Sequence, residues 1–356
     1  MFCNSNFYNL KKIPFNNVLI IGLGLIGGSL AKILNHQKIA KNIWANDHNF
    51  SNIEQAKKDK IINGYYLLDD NIEIFDLIIL CTPLKTYQDI FNKISSKINS
   101  QTIFFDIGSI KNFKLKNIPK NFVGCHPIAG SENTGYINSY DKLFTNKNFI
   151  ICDDKSKENV KIIESLINQI GSKPIYINAS KHDEIFALVS HLPQFLSFLT
   201  SEFSSKNIDN NFFKTAFRLD KSNPEIWEDI FKLNQKNLEY FYEKFFNNLV
   251  DLIDDLENFD IEKYDELINK FSIQNSIDDS AFSYFEKNFS WIFFRFLMAI
   301  SLLKIPEIKT YESYAGNGFN DFISIINIYH FDKIKFNILV KQNTHQIINL
   351  FNQISQ

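Results

Sequence analysis

The stretch that decides the fold reads V-L-I-I-G-L-G-L-I-G-G-S-L-A-K-I-L and runs from Val18 to Leu34. In it an apolar segment is followed by Gly22, Gly24 and Gly27 in G-x-G-x-x-G spacing, and then by a helical pattern. The first glycine allows a tight turn, the second lets a pyrophosphate approach the backbone, and the third lets the helix pack on the strand. Phosphates are favoured at the positive N-terminal end of such a helix. The stretch therefore predicts a strand–turn–helix unit that binds a dinucleotide.

An acidic residue at the next predicted strand end narrows the cofactor. Asp47 closes the segment I-W-A-N-D, 20 residues after Gly27. A carboxylate there can accept hydrogen bonds from the ribose hydroxyls and would repel a 2′-phosphate, so we expect NAD rather than NADP. A glycine-rich turn without a ligand is the alternative. The residues expected to contact the cofactor are Gly22, Gly24, Leu25, Ile26, Gly27, Asp47, Thr82 and Pro83.

The composition is that of a globular protein. The chain has 356 residues, of which 45% are hydrophobic and 22% charged, and this length is enough for two or three domains. A net charge of −2 gives no indication of nucleic acid as a partner. The cysteines show neither C-x-x-C spacing nor a metal-ligand pattern, so we expect reduced thiols, no metal and a cytoplasmic location. They are Cys3, Cys81, Cys125 and Cys152.

The longest apolar segment is too short to cross a membrane. Trp291–Leu303 contains Arg295 and has 13 residues, whereas a membrane-spanning helix needs about 20. We therefore expect a buried core helix there and no membrane partner.

Strand and helix patterns alternate from Val18 to about Ile177. The nearly all-apolar runs Asp76–Cys81 and Thr102–Asp106 are typical of strands buried on both faces. Such alternation predicts an α/β fold, a Rossmann domain with a doubly wound, mostly parallel sheet that binds ligands at the carboxyl ends of its strands. After about Asn178 long helical patterns follow, among them Lys181–Phe203 and Pro224–Leu256. We predict an NAD-binding Rossmann domain over 1–177, a helical domain over 178–260, and a second helical unit over 261–356.

Polar residues that could perform chemistry follow two predicted strands. Asp106-Ile-Gly-Ser-Ile-Lys111 stands at the end of one strand, and Gly124-Cys-His-Pro-Ile-Ala-Gly-Ser-Glu132 at the end of the next. His126 lies where a side chain can face a nicotinamide. A neutral imidazole there can accept a proton while a hydride leaves the substrate. A strand-end histidine with a purely structural role is the alternative.

A third segment completes a recognisable set. His182-Asp183 and then Ser190-His-Leu-Pro-Gln194 lie in the first predicted helix of the helical half. With the glycine turn, the set resembles the prephenate and arogenate dehydrogenases of tyrosine biosynthesis over roughly residues 17–240. The resemblance implies an NAD-dependent oxidoreductase that decarboxylates prephenate, a small-molecule substrate, to 4-hydroxyphenylpyruvate. It implies that His126 takes the proton of the ring hydroxyl and that Ser109 hydrogen-bonds this histidine or the hydroxyl. Further positions that match the substrate site are Ser131, Glu132, Asp183, His191 and Gln194.

One segment of the helical half resembles the family's substrate anchor. Phe217–Trp227 reads F-R-L-D-K-S-N-P-E-I-W and is similar to the family's T-R-I-A-S-S-(D/N)-P-x-M-W. The resemblance places Arg218 at the substrate-binding arginine and Trp227 at the motif tryptophan, with Lys214 at a basic position upstream. A guanidinium suits a dicarboxylate substrate because it can bind both oxygens of a carboxylate. An arginine on a solvated helix face is the alternative.

Two departures from the family keep other functions open. Gln194 stands where many members have a second histidine, and an amide cannot carry charge, so arogenate dehydrogenase is the nearest alternative. The family's G-F-R-D stretch is degraded to F-F-K-T at Phe212–Thr215. A hydroxyacid dehydrogenase of another kind would commonly use a catalytic lysine, and no such motif appears near Ser190–Gln194. A non-catalytic NAD-binding protein is the third alternative.

The degraded stretch reappears downstream. Tyr314–Ile325 reads Y-A-G-N-G-F-N-D-F-I-S-I and resembles the family's Y-A-G-G-G-F-R-D-F-T-R-I, with Asn320 and Ser324 in place of the arginines. We therefore predict that residues 281–356 are a diverged repeat of residues 185–250.

The repeat has a consequence for assembly, because the resemblance implies that the helical domain over 178–260 binds substrate and that family members dimerise through their helical domains. We expect either a monomer with an internal pseudo-dimer or a homodimer, with one cofactor and one active site in each chain. Asp321 of the repeat is then expected to complete the substrate site around Arg218. A chance glycine-rich turn between two helices is the alternative.

Overall fold

The structure of the chain is a computed structural model that describes residues 15–131, 133–153, 156–201, 211–272, 284–285, 287–330 and 333–354. The chain divides into two compact units between Asp183 and Glu184. The first unit is α/β and the second is helical, which confirms the predicted fold class. The boundary lies slightly beyond the predicted end of the first domain at residue 177. A further division of the helical part at residue 260 stays a prediction.

An eight-stranded sheet forms the first unit. Its order is β3-β2-β1-β4-β5-β6-β7-β8, and the strand pairs are parallel except that β6 and β7 are antiparallel. The order of the strands reverses between β1 and β4, and open α/β sheets bind ligands at such a point, beyond the carboxyl ends of the strands. The strands are β1 (Phe15–Ile21), β2 (Ala40–Asn46), β3 (Gly64–Tyr65), β4 (Leu77–Leu80), β5 (Ile103–Asp106), β6 (Phe122–Pro127), β7 (Asn148–Cys152) and β8 (Lys173–Tyr176).

Two apolar clusters cover the two faces of this sheet. The side chains of β4 alternate between them, since Leu77 and Ile79 belong to one cluster and Ile78 and Leu80 to the other. Because every residue of β4 and β5 is buried, these strands read as continuous apolar runs in the sequence. The helices of this unit are α1 (Leu25–His36), α2 (Phe50–Lys58), α3 (Tyr87–Ile94) and α4 (Glu158–Gln169), and α5 (Ala179–Phe186) leads into the second unit.

The second unit is built from helices of very different lengths. They are α6 (Leu192–Thr200), α7 (Asn211–Ala216), α8 (Pro224–Leu233), α9 (Gln235–Asp254), α10 (Asp265–Phe271), α11 (Phe289–Leu303), α12 (Ile308–Tyr311), α13 (Asn317–Ile323) and α14 (Lys333–Ile354). Two 3₁₀ segments, Arg218–Lys221 and Ser324–His330, follow α7 and α13 directly or nearly so.

Two helices that the sequence predicts as continuous are interrupted in the structure. The predicted helix Lys181–Phe203 is interrupted by a π-helical segment, Ala187–His191. Pro193 has no N–H to donate to the carbonyl of Val189, which disfavours regular α-helix there. The predicted helix Pro224–Leu256 is broken at Asn234. The side chain of this residue is buried and hydrogen-bonds a residue of another segment.

The long apolar segment forms a core helix, as predicted. Nearly all side chains of α11 are buried, and the helix contacts α9 and α14. No single helix among the described residues has the length and apolarity to cross a membrane, and one pair, Phe289–Leu303 with Ile308–Tyr314, meets the criterion only together and bends by 84°.

Candidate functional site

The glycine turn has the geometry that its spacing predicts. Gly22 has φ +95°, in the left-handed region that favours glycine, and a Cβ on it would lie 2.6 Å from the backbone oxygen of Cys81. A Cβ on Gly27 would lie 2.0 Å from the backbone oxygen of Gly22, so α1 packs directly on the turn. A Cβ on Gly24, the residue that precedes α1, would meet nothing within 4 Å. Open space therefore lies before the N-terminus of α1, where phosphates bind favourably.

Asp47, the residue predicted to bind the ribose, is held in place next to this turn. Asp47 follows β2 and is 7% exposed. Its Oδ2 accepts a hydrogen bond from the backbone N–H of Leu23 at 2.6 Å, and its Oδ1 accepts one from the backbone N–H of Asn49 at 2.7 Å. A carboxylate offers about four acceptor positions, more than these two bonds use. The carboxylate is thus fixed beside the glycine turn with capacity for hydroxyl groups.

The other predicted cofactor residues lie at the same edge of the sheet. Leu25 and Ile26 open α1, while half-buried Thr82 and exposed Pro83 follow β4, on the other side of the point where the strand order reverses. The arrangement fits a dinucleotide across the carboxyl ends of β1, β2 and β4.

The predicted base, His126, contacts a second histidine. His126 lies on β6 and is half-buried, and its Nδ1 is 2.9 Å from Nε2 of His182. The Nδ1 of His182 is 2.7 Å from Oδ1 of Asp183. Burial and the nearby Lys111 ammonium hold the pKa of His182 well below its ordinary value, so this ring is neutral near neutral pH. His182 was not among the predicted site residues, although it lies in a quoted motif.

Asp183 contacts neighbouring residues of the first unit, and its predicted role in substrate binding stays a prediction. The residue is 3% exposed, and besides His182 its oxygens accept hydrogen bonds from the backbone N–H of Lys111 at 2.9 Å and of Asn112 at 2.7 Å. Its carboxylate is therefore used within the first unit, between the segment after β5 and His182.

A buried ion pair organises the segment that follows β5. Oδ2 of Asp106 accepts hydrogen bonds from the hydroxyl of Tyr87 at 2.9 Å, the backbone N–H of Gly108 at 3.0 Å and Nζ of Lys111 at 2.5 Å. Its Oδ1 accepts the backbone N–H of Cys125 at 2.9 Å. Both charged side chains are almost fully buried. One carboxylate thus joins the D-I-G-S-I-K segment to the residue that precedes His126.

The remaining predicted residues of the first unit are less fully defined. Ser109 is half-buried in the segment that Asp106 organises. Ser131 is exposed, and its Oγ accepts the backbone N–H of Asn133 at 3.2 Å. Glu132 lies outside the described residues. The catalytic role of Ser109 and the substrate roles of Ser131 and Glu132 stay predictions.

The described cysteines are free thiols. Burial raises the pKa of Cys152 to about 12 and raises the pKa values of Cys81 and Cys125 as well, so these thiols stay protonated. Cys3 lies outside the described residues. Within the part of the chain that the structure describes, no group of three His, Cys, Asp or Glu side chains could hold a metal ion.

In the helical unit the structure brings Arg218 and Asp321 together. Nε and Nη2 of Arg218 are each 2.6 Å from Oδ2 of Asp321, across 103 residues of sequence. The side chains are 29% and 15% exposed. Asp321 therefore contacts the guanidinium, and its predicted direct contact with substrate stays untested. Lys214 is exposed on α7, and its predicted role also stays open.

Gln194 supports the Arg218 segment. It is fully buried, its Nε2 donates to the backbone oxygen of Leu219 at 2.9 Å, and its Oε1 accepts from the hydroxyl of Ser222 at 3.1 Å. Both ends of the amide hold the 3₁₀ segment, and the predicted substrate contact of Gln194 stays a prediction.

His191 and Trp227 lie together in the same unit. The buried His191 has its Nδ1 2.9 Å from Nδ2 of Asn234, and its ring is 6.2 Å from that of Trp227. The amide is the donor, so Nδ1 of His191 is the acceptor. The π-helical segment ends at His191, and such segments are frequent at functional sites.

Arg295 is a buried cation that the sequence did not place in the site. Its Nη1 and Nη2 are each 3.3 Å from Oδ1 of Asp220, and its guanidinium lies 5.2 Å from the ring of Phe217 and 4.9 Å from that of Phe322. Burial lowers the pKa of Arg295, and the Asp220 carboxylate opposes this shift. The sequence sign of this buried cation is an arginine within an apolar run.

Two family models match the chain. The first, described as "Prephenate dehydrogenase, nucleotide-binding domain", matches residues 30–176. The second, described as "Prephenate dehydrogenase, dimerization domain", matches residues 178–271. Together they span most of the first unit and about half of the second.

Similar proteins agree with this result. Cyclohexadienyl dehydrogenase of Zymomonas mobilis is 26% identical over 236 residues, which are 61% of this chain and 80% of that protein. The crystal structure of prephenate dehydrogenase from A. aeolicus in complex with hydroxyphenyl propionate and NAD⁺ is 30% identical, with a TM-score of 0.62 over 71% of this chain and 96% of that chain. Synechocystis arogenate dehydrogenase, at 23% identity and a TM-score of 0.56 over 67% of this chain and 92% of that chain, shows likeness of fold.

Proposed function

Since the chain belongs to the prephenate dehydrogenase family, we propose that it catalyses the NAD-dependent oxidative decarboxylation of prephenate to 4-hydroxyphenylpyruvate. The observation that carries the proposal is the position of His126, a histidine at the carboxyl end of β6 in the same sheet as the glycine turn. A base and a dinucleotide site at one edge of a sheet are what an alcohol dehydrogenation requires.

The glycine turn fits the pyrophosphate of NAD. The space before α1 that Gly24 leaves open admits the phosphates, and Asp47 is placed to accept the ribose hydroxyls. Its negative charge disfavours the 2′-phosphate of NADP. When bound, NAD supplies the acceptor for the hydride.

His126 performs the proton transfers. Its imidazole takes the proton of the ring hydroxyl while the hydride leaves the carbon that bears it. The ring carboxylate then leaves as carbon dioxide. The electrons of the broken carbon–carbon bond move into the ring, which becomes aromatic and leaves its oxygen as a phenolate. The phenolate takes the proton back from His126. Prephenate and NAD⁺ thus give 4-hydroxyphenylpyruvate, carbon dioxide and NADH without net proton release.

Arg218 is the proposed anchor of a substrate carboxylate. A guanidinium has five N–H donors in a fixed fork, and Asp321 contacts two of its nitrogens and so sets the plane of the group. A carboxylate of Asp321 next to a dicarboxylate substrate would be repulsive on its own. We therefore assign to Asp321 the orientation of Arg218 rather than a direct substrate contact.

We infer that the helical unit contains an internal pseudo-dimer. When F-F-K-T at Phe212–Thr215 is aligned with G-F-N-D at Gly318–Asp321, α7 with its 3₁₀ segment Arg218–Lys221 corresponds to α13 with its 3₁₀ segment Ser324–His330. The segments make reciprocal contacts: α7 contacts Ser324–His330, and α13 contacts Arg218–Lys221. A two-fold interface has this pattern, because each partner presents the same surface to the other.

The two halves differ at the paired charges. Arg218 corresponds to Ser324, and Asp321 corresponds to Thr215. One of the two pseudo-symmetric contacts therefore pairs an arginine of the first repeat with an aspartate of the second, and the other contact has hydroxyl residues at both positions. We propose one substrate site for each chain. A cytoplasmic location stays a prediction.

Two experiments test these proposals. Initial rates of NADH or NADPH formation from prephenate and from arogenate, each with NAD and with NADP, should favour prephenate with NAD. A preference for arogenate would transfer the assignment to that substrate, and no turnover of either would refute it. Light scattering after gel filtration should give a monomer of 41.6 kDa. A stable homodimer would contradict the internal pseudo-dimer.

A further inference from the structure

A hydrogen-bonded chain lies behind the proposed base. Nδ1 of His126 is 2.9 Å from Nε2 of His182, and Nδ1 of His182 is 2.7 Å from Oδ1 of Asp183. His182 is fully buried and Asp183 nearly so. The three side chains come from β6 and from α5, so the chain joins the base to the helix that follows the last strand.

Asp183 forms the far end of this hydrogen-bonded chain, and both of its carboxylate oxygens accept hydrogen bonds. Oδ1 and Oδ2 of Asp183 accept hydrogen bonds from the backbone N–H groups of Lys111 and Asn112, which only donate. A carboxylate held by two N–H groups favours its ionised form. The bond to Nδ1 of His182 must therefore be one that His182 donates.

This direction fixes the remaining protons. With Nδ1 protonated and the ring neutral, Nε2 of His182 has a lone pair and accepts. The nitrogen that it faces, Nδ1 of His126, must then carry the proton, which leaves Nε2 of His126 as the basic nitrogen.

On the basis of the proposed function, we propose that His182 and Asp183 position His126, with Nδ1 of His126 as its donor to His182 and Nε2 as the atom that takes the proton of the substrate. When His126 becomes an imidazolium, its bond to His182 becomes charge-assisted and stronger. The hydrogen-bonded chain therefore stabilises the transition state more than the ground state. His182 and Asp183 are positioning residues, because they act through His126.

The surroundings keep His182 neutral in this role. The titratable groups that face it include His126 on β6, Asp183 on its own helix and Lys111, which is paired with Asp106. Cys152 on β7 lies near Lys111 and Asp183. Lys111 opposes a second positive charge at His182, and burial has the same effect. His182 is thereby an acceptor over the pH range in which His126 works as a base.

The kinetic test compares two substitutions. His182→Leu removes the acceptor and should lower kcat roughly 100-fold with little change in the KM for prephenate or NAD, since the wrong tautomer of a catalytic histidine is costly. The acidic limb of kcat/KM should move to lower pH, because the imidazolium of His126 loses a partner. His182→Gln can both accept from His126 and donate to Asp183, and should restore most of kcat.

Two results would overturn the proposal: wild-type kcat and pH profile in His182→Leu, or an equal loss in His182→Gln and His182→Leu. His36→Leu is the matched control, because His36 contacts Asp141 at 3.1 Å on the surface of the same unit and should leave all parameters unchanged.

A spectroscopic test does not depend on turnover or on the folding of a variant. Nitrogen-15 NMR of the wild-type chain with NAD, assigned by comparison with His126→Asn, should show the proton of His126 on Nδ1. A proton on Nε2 at neutral pH would refute the positioning chain. If the protein does not oxidise prephenate but shows the Nδ1 proton, the proposed function is refuted and the positioning of His126 by His182 is not.

Discussion

The two units of the chain place their charged residues by different means. In the α/β unit, Asp47 and His126 lie at the carboxyl ends of strands, so the order of the sheet brings them to one edge. In the helical unit, Arg218 meets Asp321 across 103 residues, and Arg295 meets Asp220 across 75. Regular topology positions the first set and tertiary packing the second. We therefore expect substitutions in the first unit to affect chemistry and those in the second to affect binding.

The largest effect is expected at the base. His126→Asn should lower kcat by about 1,000-fold with little change in NAD affinity, since general base catalysis contributes about 100- to 10,000-fold. Steady-state rates and NAD titration measure the two quantities. The same substitution at His36, which is exposed in the same unit, is the control and should have no effect. A raised KM with normal kcat in His126→Asn would move this residue from chemistry to binding.

The anchor in the helical unit should show the opposite pattern. Arg218→Lys keeps the charge but loses the planar fork, and should raise the KM for prephenate roughly 10- to 100-fold while kcat changes little. Lys221→Ala removes an exposed charge from the same 3₁₀ segment and should change KM less than about twofold. If Lys221→Ala weakens binding as much as Arg218→Lys does, a general positive field binds the substrate and a specific anchor does not.

The partner of the anchor should have a smaller effect of the same kind. Asp321→Asn keeps the size of the side chain but weakens its hold on Arg218, and should raise the KM for prephenate about 10-fold. The double variant with Arg218→Lys should be less impaired than the product of the two single effects, because the residues act together. Glu228→Gln, which breaks the exposed pair with Lys232, is the control. Additive effects would separate the two residues.

The smallest effect is on stability. Because the pKa of His182 is lowered in the folded chain, the unfolded chain binds more protons on this residue below its unfolded pKa of about 6.5. Its contribution to the free energy of unfolding is therefore present above about pH 6.5 and decreases as the pH falls. Between about pH 6.5 and about pH 5.5 it should decrease by up to about 1 kcal/mol. Urea unfolding of the wild type and of His182→Gln measures the difference, and parallel pH dependence in the two would contradict the assignment of this proton to His182.

The sequence predicted most of the first unit because its signals are local. The glycine spacing requires a turn with the geometry of Gly22, and the all-apolar runs of β4 and β5 follow from burial on both faces. The break at Asn234 could not be read in the same way, since the apolar periodicity continues through it and a hydrogen bond to His191 decides the outcome.

Residues used in long-range contacts were the hardest to assign. Gln194 and Asp183 match substrate positions of the family, and no sequence pattern showed that their side chains also hydrogen-bond within their own units. Arg218 and Asp321 were assigned to one site only because the repeat in the sequence suggested it. Sequence patterns identify such residues, and the packing of the unit determines what they contact.

In the proposed function a base on the sheet drives an oxidative decarboxylation, which forms NADH and carbon dioxide in the same turnover. The experiment is to measure both products from prephenate and NAD, with the wild-type chain and His126→Asn side by side. We expect equal amounts of both products from the wild type and a rate about 1,000-fold lower from the variant. A wild-type chain that forms no NADH, NADH without carbon dioxide, or a variant as fast as the wild type would contradict it.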